Sequence, residues 1–276
     1  MAETETNPCP VGRLLKRWRG IRHLSQLDLA LTAGVSARHV SFVETGRAEP
    51  SRELLVRLAG ALDLPLAERN ALLVAAGYAP RHPARPLSSD ALARVRHVLE
   101  RMLDQHEPYP ALALDGHWNL LLANAAFGRL LAFLEAAPAA GEAAEPPNLF
   151  LSIFDPAGLR RYLEDWEDSA RMALRRAYRE DAARGGDRGM QALIQRALAF
   201  PGVPRDYLVV GSADEDLPCF TFTLAHRGVR LTWFSTLTTF GTAQDVTVQG
   251  LNLESYFPAD EKTERAWAGM DRPANM

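Results

Sequence analysis

The 276-residue sequence contains few cysteines and no long apolar run. Its two cysteines, Cys9 and Cys219, lie far apart and form neither a CxxC pair nor a metal-ligand spacing. No stretch approaches the roughly 18 apolar residues of a membrane span, and the N-terminal MAETETNPCP is acidic and polar, unlike a signal peptide. These absences predict a reduced, cytoplasmic protein with no membrane partner.

Catalytic motifs are also lacking. The sequence has no GxSxG elbow, HExxH pair or P-loop, and the glycines of GGDRGMQ at 185–191 lack the lysine and spacing of a phosphate loop. His117 and His226 have no neighbouring Cys or His, so they do not predict a metal site. We therefore expect a protein that is not an enzyme and holds neither a metal nor a catalytic cofactor.

Charge is distributed unevenly along the chain. Residues 11–60 contain nine Lys/Arg and four Asp/Glu, although the whole chain has a formal net charge of -3. The first segment therefore has five excess positive charges, and the rest of the chain has eight excess negative charges. A basic N-terminal module attached to an acidic body indicates that only the first part binds a polyanion.

Local signals divide the chain into four regions. Residues 10–80 are predicted to form five short helices, and 81–90, with several prolines, a linker. Residues 91–258 combine strand and helix patterns, and 259–276 are predicted to be a polar tail. This order of elements predicts an α+β protein with a helical N-terminal domain and a C-terminal domain built on an antiparallel sheet.

The segment GVSARHVSFVETG at 34–46 has the pattern of a DNA-reading helix. Ser25 caps the preceding helix, Gly34 ends it in a left-handed conformation, and Ser36 caps the next helix, which closes at Gly46. The tight turn between two short helices predicts a helix-turn-helix, whose second helix enters the major groove of DNA. With Val40 and Val43 facing the core, the outer face carries Ala37, Arg38, Ser41 and Phe42.

The C-terminal region predicts a ligand-binding sheet with helices over one face. The Asp115-Gly116 pair indicates a hairpin, Asn124 opens a helix, and a long helix is predicted over 157–184 with another over 188–200. The strand candidates that follow are at 206–211, 218–225, 228–237 and 247–256.

Eight residues of this region are candidates for contacts with a ligand. They are mostly aromatic and are Trp118, Leu120, Asn124, Phe127, Trp166, Phe222, Trp233 and Phe234. Strand alternation sends Trp233 and Phe234 to opposite faces, and the sequence leaves open which face lines a pocket and which aromatic residues only form the core. Asn124 also has the position of a helix N-cap.

A ligand with a carboxylate would need a cation in the pocket, and the predicted long helix carries several arginines. Arg171, Arg175, Arg176 and Arg179 recur at one-turn spacing along this helix. We expect them to form a solvated basic face.

The helical segment carries a family resemblance. The run LSQLDLALTAGVSARHVSFVETGRAEPSRELLVRLAGALDLP resembles the five-helix, lambda-repressor-like DNA-binding domain of the Xre superfamily. The stretches SFVETGRAEPSRELLVRLAGALDLPLAERNALLVAAGYAP and FSTLTTFGTAQDVTVQGLNLESYFPAD, and the helix containing Trp166, resemble the MmyB-like regulators. The resemblance covers about residues 12 to 260 and implies a C-terminal ligand-binding domain of PAS-like fold.

The same resemblance implies roles for individual residues. The residues implied in DNA binding are Gln26, Ser36, Ala37, Arg38, Ser41, Phe42, Thr45 and Arg47. Arg38 is the strongest base reader, because its planar fork matches guanine O6 and N7, whereas Gln26 is expected on a phosphate. Arg19 is implied to form a partly buried structural pair with Glu44.

Together, these observations predict a transcriptional repressor that binds double-stranded operator DNA as a homodimer. The resemblance implies that a small hydrophobic ligand, such as a fatty acid, controls it from the C-terminal domain. An alternative stays open: the C-terminal domain is a protein-interaction or dimerisation module with no small-molecule ligand.

Overall fold

The computed structural model describes residues 10–136, 146–207 and 220–270. The described residues form two compact units. The described residues up to Arg85, together with Ala243–Val246, form the first unit, and the other described residues form the second. Five N-terminal helices and a sheet domain with further helices make the chain α+β, as the sequence predicts.

The first unit is a bundle of five helices. The helices are α1 (Pro10–Ile21), α2 (Gln26–Ala33), α3 (Ala37–Glu44), α4 (Arg52–Ala61) and α5 (Leu66–Ala75). Their apolar faces meet in one core, in which Leu15, Trp18, Leu55 and Leu58 are at most 1% exposed.

Local hydrogen bonds fix where α2 and α3 begin and end. The Ser25 hydroxyl accepts from the Asp28 amide while Asp28 accepts from the Ser25 amide, which is a reciprocal capping box. Gly34 then ends α2 with a φ of 65°, a left-handed conformation that favours glycine. Ser36 caps α3 by accepting from the His39 amide. The turn between the two helices is therefore the one predicted from sequence.

The second unit contains seven helices and five strands among its described residues. The helices are α6 (Ala93–Gln105), α7 (Ala125–Phe133), α8 (Leu149–Phe154), α9 (Trp166–Ala183), α10 (Arg188–Ala199), α11 (Val246–Gln249, which begins in the first unit) and α12 (Glu261–Met270). The strands are β1 (Ala111–Leu114), β2 (Leu120–Ala123), β3 (Thr221–His226), β4 (Val229–Thr239) and β5 (Asn252–Pro258).

The strands form one antiparallel sheet in the order β2-β1-β5-β4-β3. The central strand β5 pairs with both β1 and β4, so the hairpin β1–β2 and the hairpin β3–β4 are joined by the last strand of the chain. The turn between β3 and β4 has Arg227 and Gly228 at positive φ, in the position that the sequence indicated.

The predicted helix over 157–184 is wrong in its first turns. Residues Leu159–Tyr162 form a short 3-10 turn, and α9 begins only at Trp166. Between them, Leu163 bridges to Leu224 and the Glu164 amide donates to the Thr223 carbonyl. The backbone at this point therefore bonds to β3 and cannot continue a helix.

Helix α8 was not predicted. Asn148 caps α8 by accepting from the Leu151 amide at 3.0 Å. Residues 137–145, just before it, and most of the strand candidate at 206–211 lie outside the described residues.

The last predicted strand and the polar tail also need correction. The segment 247–256 contains the end of α11, and its strand β5 begins at Asn252. The tail predicted from 259 contains α12, because Asp260 accepts from the Thr263 amide at its start. Trp267 is 2% exposed and donates from Nε1 to the Pro108 carbonyl at 2.7 Å. One buried tryptophan thus anchors a helix whose remaining residues are largely polar.

Candidate functional site

A buried ion pair joins α1 to α3. The Arg19 guanidinium donates from Nε to Glu44 Oε1 at 2.8 Å and from Nη2 to Glu44 Oε2 at 3.0 Å, while its Nη1 donates to the Leu24 carbonyl at 2.9 Å. Glu44 is only 6% exposed. The hydrogen bond to Glu44 raises the pKa of Arg19, outweighing the lowering by partial burial. Because each guanidinium nitrogen has an acceptor, this network is complete and holds the end of α3 in place.

Gln26 lies on the same carboxylate. Its Nε2 donates to Glu44 Oε2 at 2.7 Å, so one of its two amide hydrogens is engaged inside the first unit. The sequence assigned Gln26 to a phosphate and did not foresee this bond. Gln26 has a second amide hydrogen, and the predicted phosphate contact would use it.

Close packing of α1 on α3 adds a second constraint. Gly12 is buried, and a Cβ at this position would overlap the backbone carbonyl of Glu44. Glycine therefore permits an approach that a larger residue would block. Helix α3 is positioned by this contact and by the Arg19–Glu44 ion pair.

The predicted DNA-contacting residues occupy the outer part of α3 and its ends. Arg38, Thr45 and Arg47 are exposed, and Ala37, Ser41 and Phe42 are half-buried. The Arg38 guanidinium carbon lies 5.1 Å from the centre of the Phe42 ring, a cation–π distance that restrains the arginine. Two hydroxyls have local roles: Ser36 caps α3, and Thr45 donates to the Ser41 carbonyl at 2.7 Å.

A cavity of about 270 Å³ lies between the sheet and the helices of the second unit. Three neighbouring strands each contribute two residues at alternate positions, and these are Phe222 and Leu224, Ser235 and Leu237, and Glu254 and Tyr256. Alternation in a strand puts each pair on the same face, so this face of the sheet is the floor of the cavity. Residues of α7, α8 and α9 form the opposite wall.

Arg176 and Glu254, which line the cavity, belong to a largely buried charge network. The Nε of Arg176 donates to Glu180 Oε1 at 2.9 Å, and its Nη1 donates to Glu254 Oε2 at 3.1 Å. The guanidinium carbon is 3.9 Å from the centre of the Trp118 ring, and Trp118 itself donates to Glu180 at 2.9 Å. Burial alone lowers the pKa of Arg176, but Glu254 and Glu180 together outweigh it and raise that pKa. The guanidinium therefore stays charged.

The cavity includes three of the eight residues predicted for ligand contact: Trp118, Phe127 and Phe222. Trp233 is fully buried and packs edge-on against Trp267, with ring centres 5.4 Å apart. Phe234, on the opposite face of β4, stacks on Phe257.

The other three predicted ligand residues have structural contacts. Asn124 is 6% exposed and caps α7, accepting from the amides of Phe127 and Ala111 and donating to the Tyr109 carbonyl. Trp166 donates to the Ile153 carbonyl at 2.7 Å, and Leu120 packs half-buried against the core of the sheet domain. For Asn124, the N-cap interpretation agrees with this geometry.

The sequence missed the polar residues of the cavity. Arg176 is not part of a solvated basic face, since its side chain is 16% exposed and pairs with Glu254. Arg171, by contrast, pairs with three exposed carboxylates, those of Glu167, Asp168 and Asp206. The sequence of β5 gave no local signal, because Glu254 follows Asn252 at the polar positions of LNLESYF, where a solvent-facing residue would also stand.

The described residues give two further findings. None of the helices in 10–136, 146–207 or 220–270 is long and apolar enough to cross a membrane. Within the same ranges, His, Cys, Asp and Glu form no group of three that could hold a metal ion.

Comparison with known proteins identifies both halves of the chain. Residues 15–69 match a helix-turn-helix family, and residues 95–268, more than half of the chain, match the MmyB-like transcription regulator ligand binding domain. No curated protein matches the chain. Among solved structures, "Structure of an RNA-binding Light-Oxygen-Voltage Receptor" matches with 13% identity and a TM-score of 0.24, covering 95% of this chain and 62% of that chain. A similarity this weak carries no argument.

The two family matches agree with the two units of the fold and with the resemblance seen in the sequence. The helix-turn-helix match contains α2 and α3, and the ligand-binding match contains the cavity with Arg176. The chain therefore belongs to the MmyB-like transcription regulators, DNA-binding proteins with an N-terminal helix-turn-helix and a C-terminal ligand-binding domain.

Proposed function

We propose that this regulator is a cytoplasmic repressor that binds a roughly palindromic operator as a homodimer, under the control of a small hydrophobic, fatty-acid-like ligand. The main support is the cavity, whose walls are mostly aliphatic and aromatic and which the ion pair of Arg176 with Glu254 also lines. Ligand sites commonly combine an apolar wall with a few polar groups that fix orientation. The five-stranded antiparallel sheet with helices over one face supports a PAS-like description of this domain.

The proposed division of the chain follows the sequence interpretation. The DNA-binding domain extends over 10–80, a linker over 81–90, and the ligand-binding domain from 91 onwards. Since α12 packs on the sheet domain through Trp267, we extend that domain to 270.

On the DNA side, we propose that the exposed Arg38 reads a guanine. Its neighbours Ala37 and Phe42 would contact a thymine methyl, and Ser36, Ser41, Thr45 and Arg47 would contact the backbone or base edges around it, with Gln26 on a phosphate. With one strong base-reading side chain on α3, part of the specificity would come from DNA shape.

Control by a ligand would be a population shift. A ligand that binds one arrangement of the dimer more tightly than another changes the fraction of dimers whose two recognition helices match the half-site spacing. A ligand that binds both arrangements equally would change nothing.

Two measurements test this function. Random-pool DNA selection with the full chain is expected to yield a site with two related half-sites about one helical turn apart, or a multiple of it. Native mass spectrometry of the purified protein is expected to show a bound apolar molecule whose removal or addition changes operator affinity. A monomeric complex with DNA would contradict the proposed homodimer, whereas an affinity that no apolar molecule changes would favour the protein-interaction module.

A further inference from the structure

The hydrogen-bond network of Arg176, which lines the cavity, is incomplete. Arg176 donates from Nε and Nη1 to Glu180 and Glu254, but its Nη2 is buried and has no acceptor within the described parts of the chain. A buried guanidinium nitrogen without an acceptor is costly, because the face of the Trp118 ring replaces only part of the water that it has lost. Arg176 lines the cavity, so a ligand that shifts its side chain and supplies an acceptor to Nη2 would remove that cost.

The charge of the surroundings limits which acceptor fits. Two carboxylates, Glu180 and Glu254, face the one guanidinium of Arg176, so the cluster is net negative before any ligand binds. Glu254 also lines the cavity and is 6% exposed. A ligand carboxylate at Nη2 would be brought beside Glu254 in a region of low dielectric, where like charges repel strongly.

The remaining polar side chains that line the cavity do not offset this negative charge. Besides Arg176 and Glu254, the polar residues that line it are Ser169, Ser235 and Tyr256, and none of these three carries a positive charge. Burial, followed by the charge of Glu254, raises the pKa of Tyr256 well above its ordinary value, so its phenol stays neutral. A cationic ligand is disfavoured as well, since the free donor on Arg176 needs an acceptor.

We infer that the ligand presents an uncharged oxygen, such as that of a hydroxyl, ketone or ester, to Nη2 of Arg176. A hydroxyl suits the site best, because it can accept from Arg176 and donate to the Glu254 carboxylate at the same time. This inference rests on the proposed apolar ligand and narrows its class: the ligand resembles a fatty acid in its hydrocarbon chain but not in its charge.

Four probes with nearly the same hydrocarbon chain test the inference: decanol, methyl decanoate, decanoate and decylamine. Binding is measured by titration calorimetry on the full-length protein at neutral pH, below the aggregation limit of each probe. Decanol and methyl decanoate are expected to bind at least about tenfold more tightly than decanoate and decylamine. If decanoate binds as tightly as decanol, the inference is overturned while the proposed function stands. If none of the four binds, the proposed apolar ligand is wrong and the inference falls with it.

Removing one charge sharpens the result. Glu254→Gln keeps the shape and an acceptor for Arg176 but removes the negative charge beside the ligand. The preference for decanol over decanoate is expected to shrink by about tenfold in this variant. Glu167→Gln is the matched control, because it removes the same charge from an exposed position on α9, and it should leave the preference unchanged. An unchanged preference in folded Glu254→Gln would contradict the inference. If that variant does not fold, the wild-type series decides alone.

Discussion

Each of the two units contains a largely buried arginine that links distant parts of the chain. The two arginines differ in whether all three guanidinium nitrogens have an acceptor. Arg19 donates to Glu44 twice and to the Leu24 carbonyl once, so all three nitrogens have acceptors. Arg176 uses two nitrogens on two glutamates, and across the described ranges its third nitrogen finds no acceptor. The complete network of Arg19 fixes a helix, whereas the incomplete network of Arg176 leaves one hydrogen-bond donor for a ligand.

The comparison is tested most strongly by neutralising one glutamate in each unit. Glu44→Gln leaves Arg19 without a carboxylate, and losing one partner of a buried pair costs roughly 3–5 kcal/mol. Glu254→Gln leaves Arg176 paired with Glu180, so we expect about half that loss or less. Calorimetric unfolding of the full chain, with its transitions assigned to the two units, measures both losses.

The control for this pair of variants is Glu49→Gln. Glu49 is exposed in the first unit, and replacing it should change the free energy of unfolding by less than about 0.5 kcal/mol. Equal losses for Glu44→Gln and Glu254→Gln would mean that the two networks do not differ as their hydrogen bonds indicate.

A second prediction concerns the packing that supports the complete network. Gly12→Ala puts a methyl group against the backbone carbonyl of Glu44, which cannot move aside without shifting α3. Overpacking of this kind costs about 1–3 kcal/mol. The decrease in the unfolding free energy of the first unit, followed by thermal denaturation, measures it.

Gly20→Ala is the matched control on the same helix. A Cβ at Gly20 meets no atom within 4 Å, and alanine is favoured over glycine in helices by about 0.5–1 kcal/mol. We expect this variant to be as stable as the wild type or slightly more so. If both variants lose stability equally, the close approach at Gly12 is not the cause.

How well the sequence predicted each region depends on how far apart in sequence the contacting residues are. Ser25, Gly34 and Ser36 act through hydrogen bonds within a few residues, and their positions in the structure match the prediction. Arg176 was misinterpreted as solvated, because its partner Glu254 is 78 residues away and only the pairing of β5 brings the two together. Helical spacing alone cannot distinguish an exposed arginine from one whose partner arrives on another strand.

The same reasoning explains the partial success at the cavity. Aromatic residues were predicted as a set, and Trp118, Phe127 and Phe222 line the cavity while Trp233 and Phe234 lie elsewhere. Composition identifies residues that avoid water, but core and cavity wall are both apolar. Sheet face separates Phe234 from the cavity, but Trp233 shares its face with Ser235 and Leu237 and packs on Trp267 instead, so position along the strand also decides.

A third prediction concerns Arg38, the proposed base-reading residue, which lies outside the Arg19–Glu44 network of the first unit. Arg38→Ala should weaken operator binding by roughly 1–3 kcal/mol and relax specificity at one base pair. Shift assays at fixed salt measure the affinity, and selection from a random pool measures the specificity. Arg101→Ala removes an exposed arginine from α6 in the second unit and should leave operator affinity unchanged. Equal affinity of Arg38→Ala and wild type would remove Arg38 from the interface.

The smallest expected effect concerns Asp28, a fully exposed carboxylate of the first unit. Arg19 and Arg176, by contrast, are largely buried. Hydrogen bonds from the Ser25 hydroxyl and then the Ser25 amide lower the pKa of Asp28 below its ordinary value. Since the folded pKa is the lower one, the stabilisation is present above the unfolded pKa of about 3.9 and is lost as pH falls through the folded pKa. Asp28→Asn should therefore flatten the acid side of the stability profile of the first unit and leave its slope near neutral pH unchanged. Denaturation of the wild type and the variant from about pH 6 down to about pH 2 measures this change. If their two stability profiles run parallel, the Ser25 cap does not lower the pKa of Asp28.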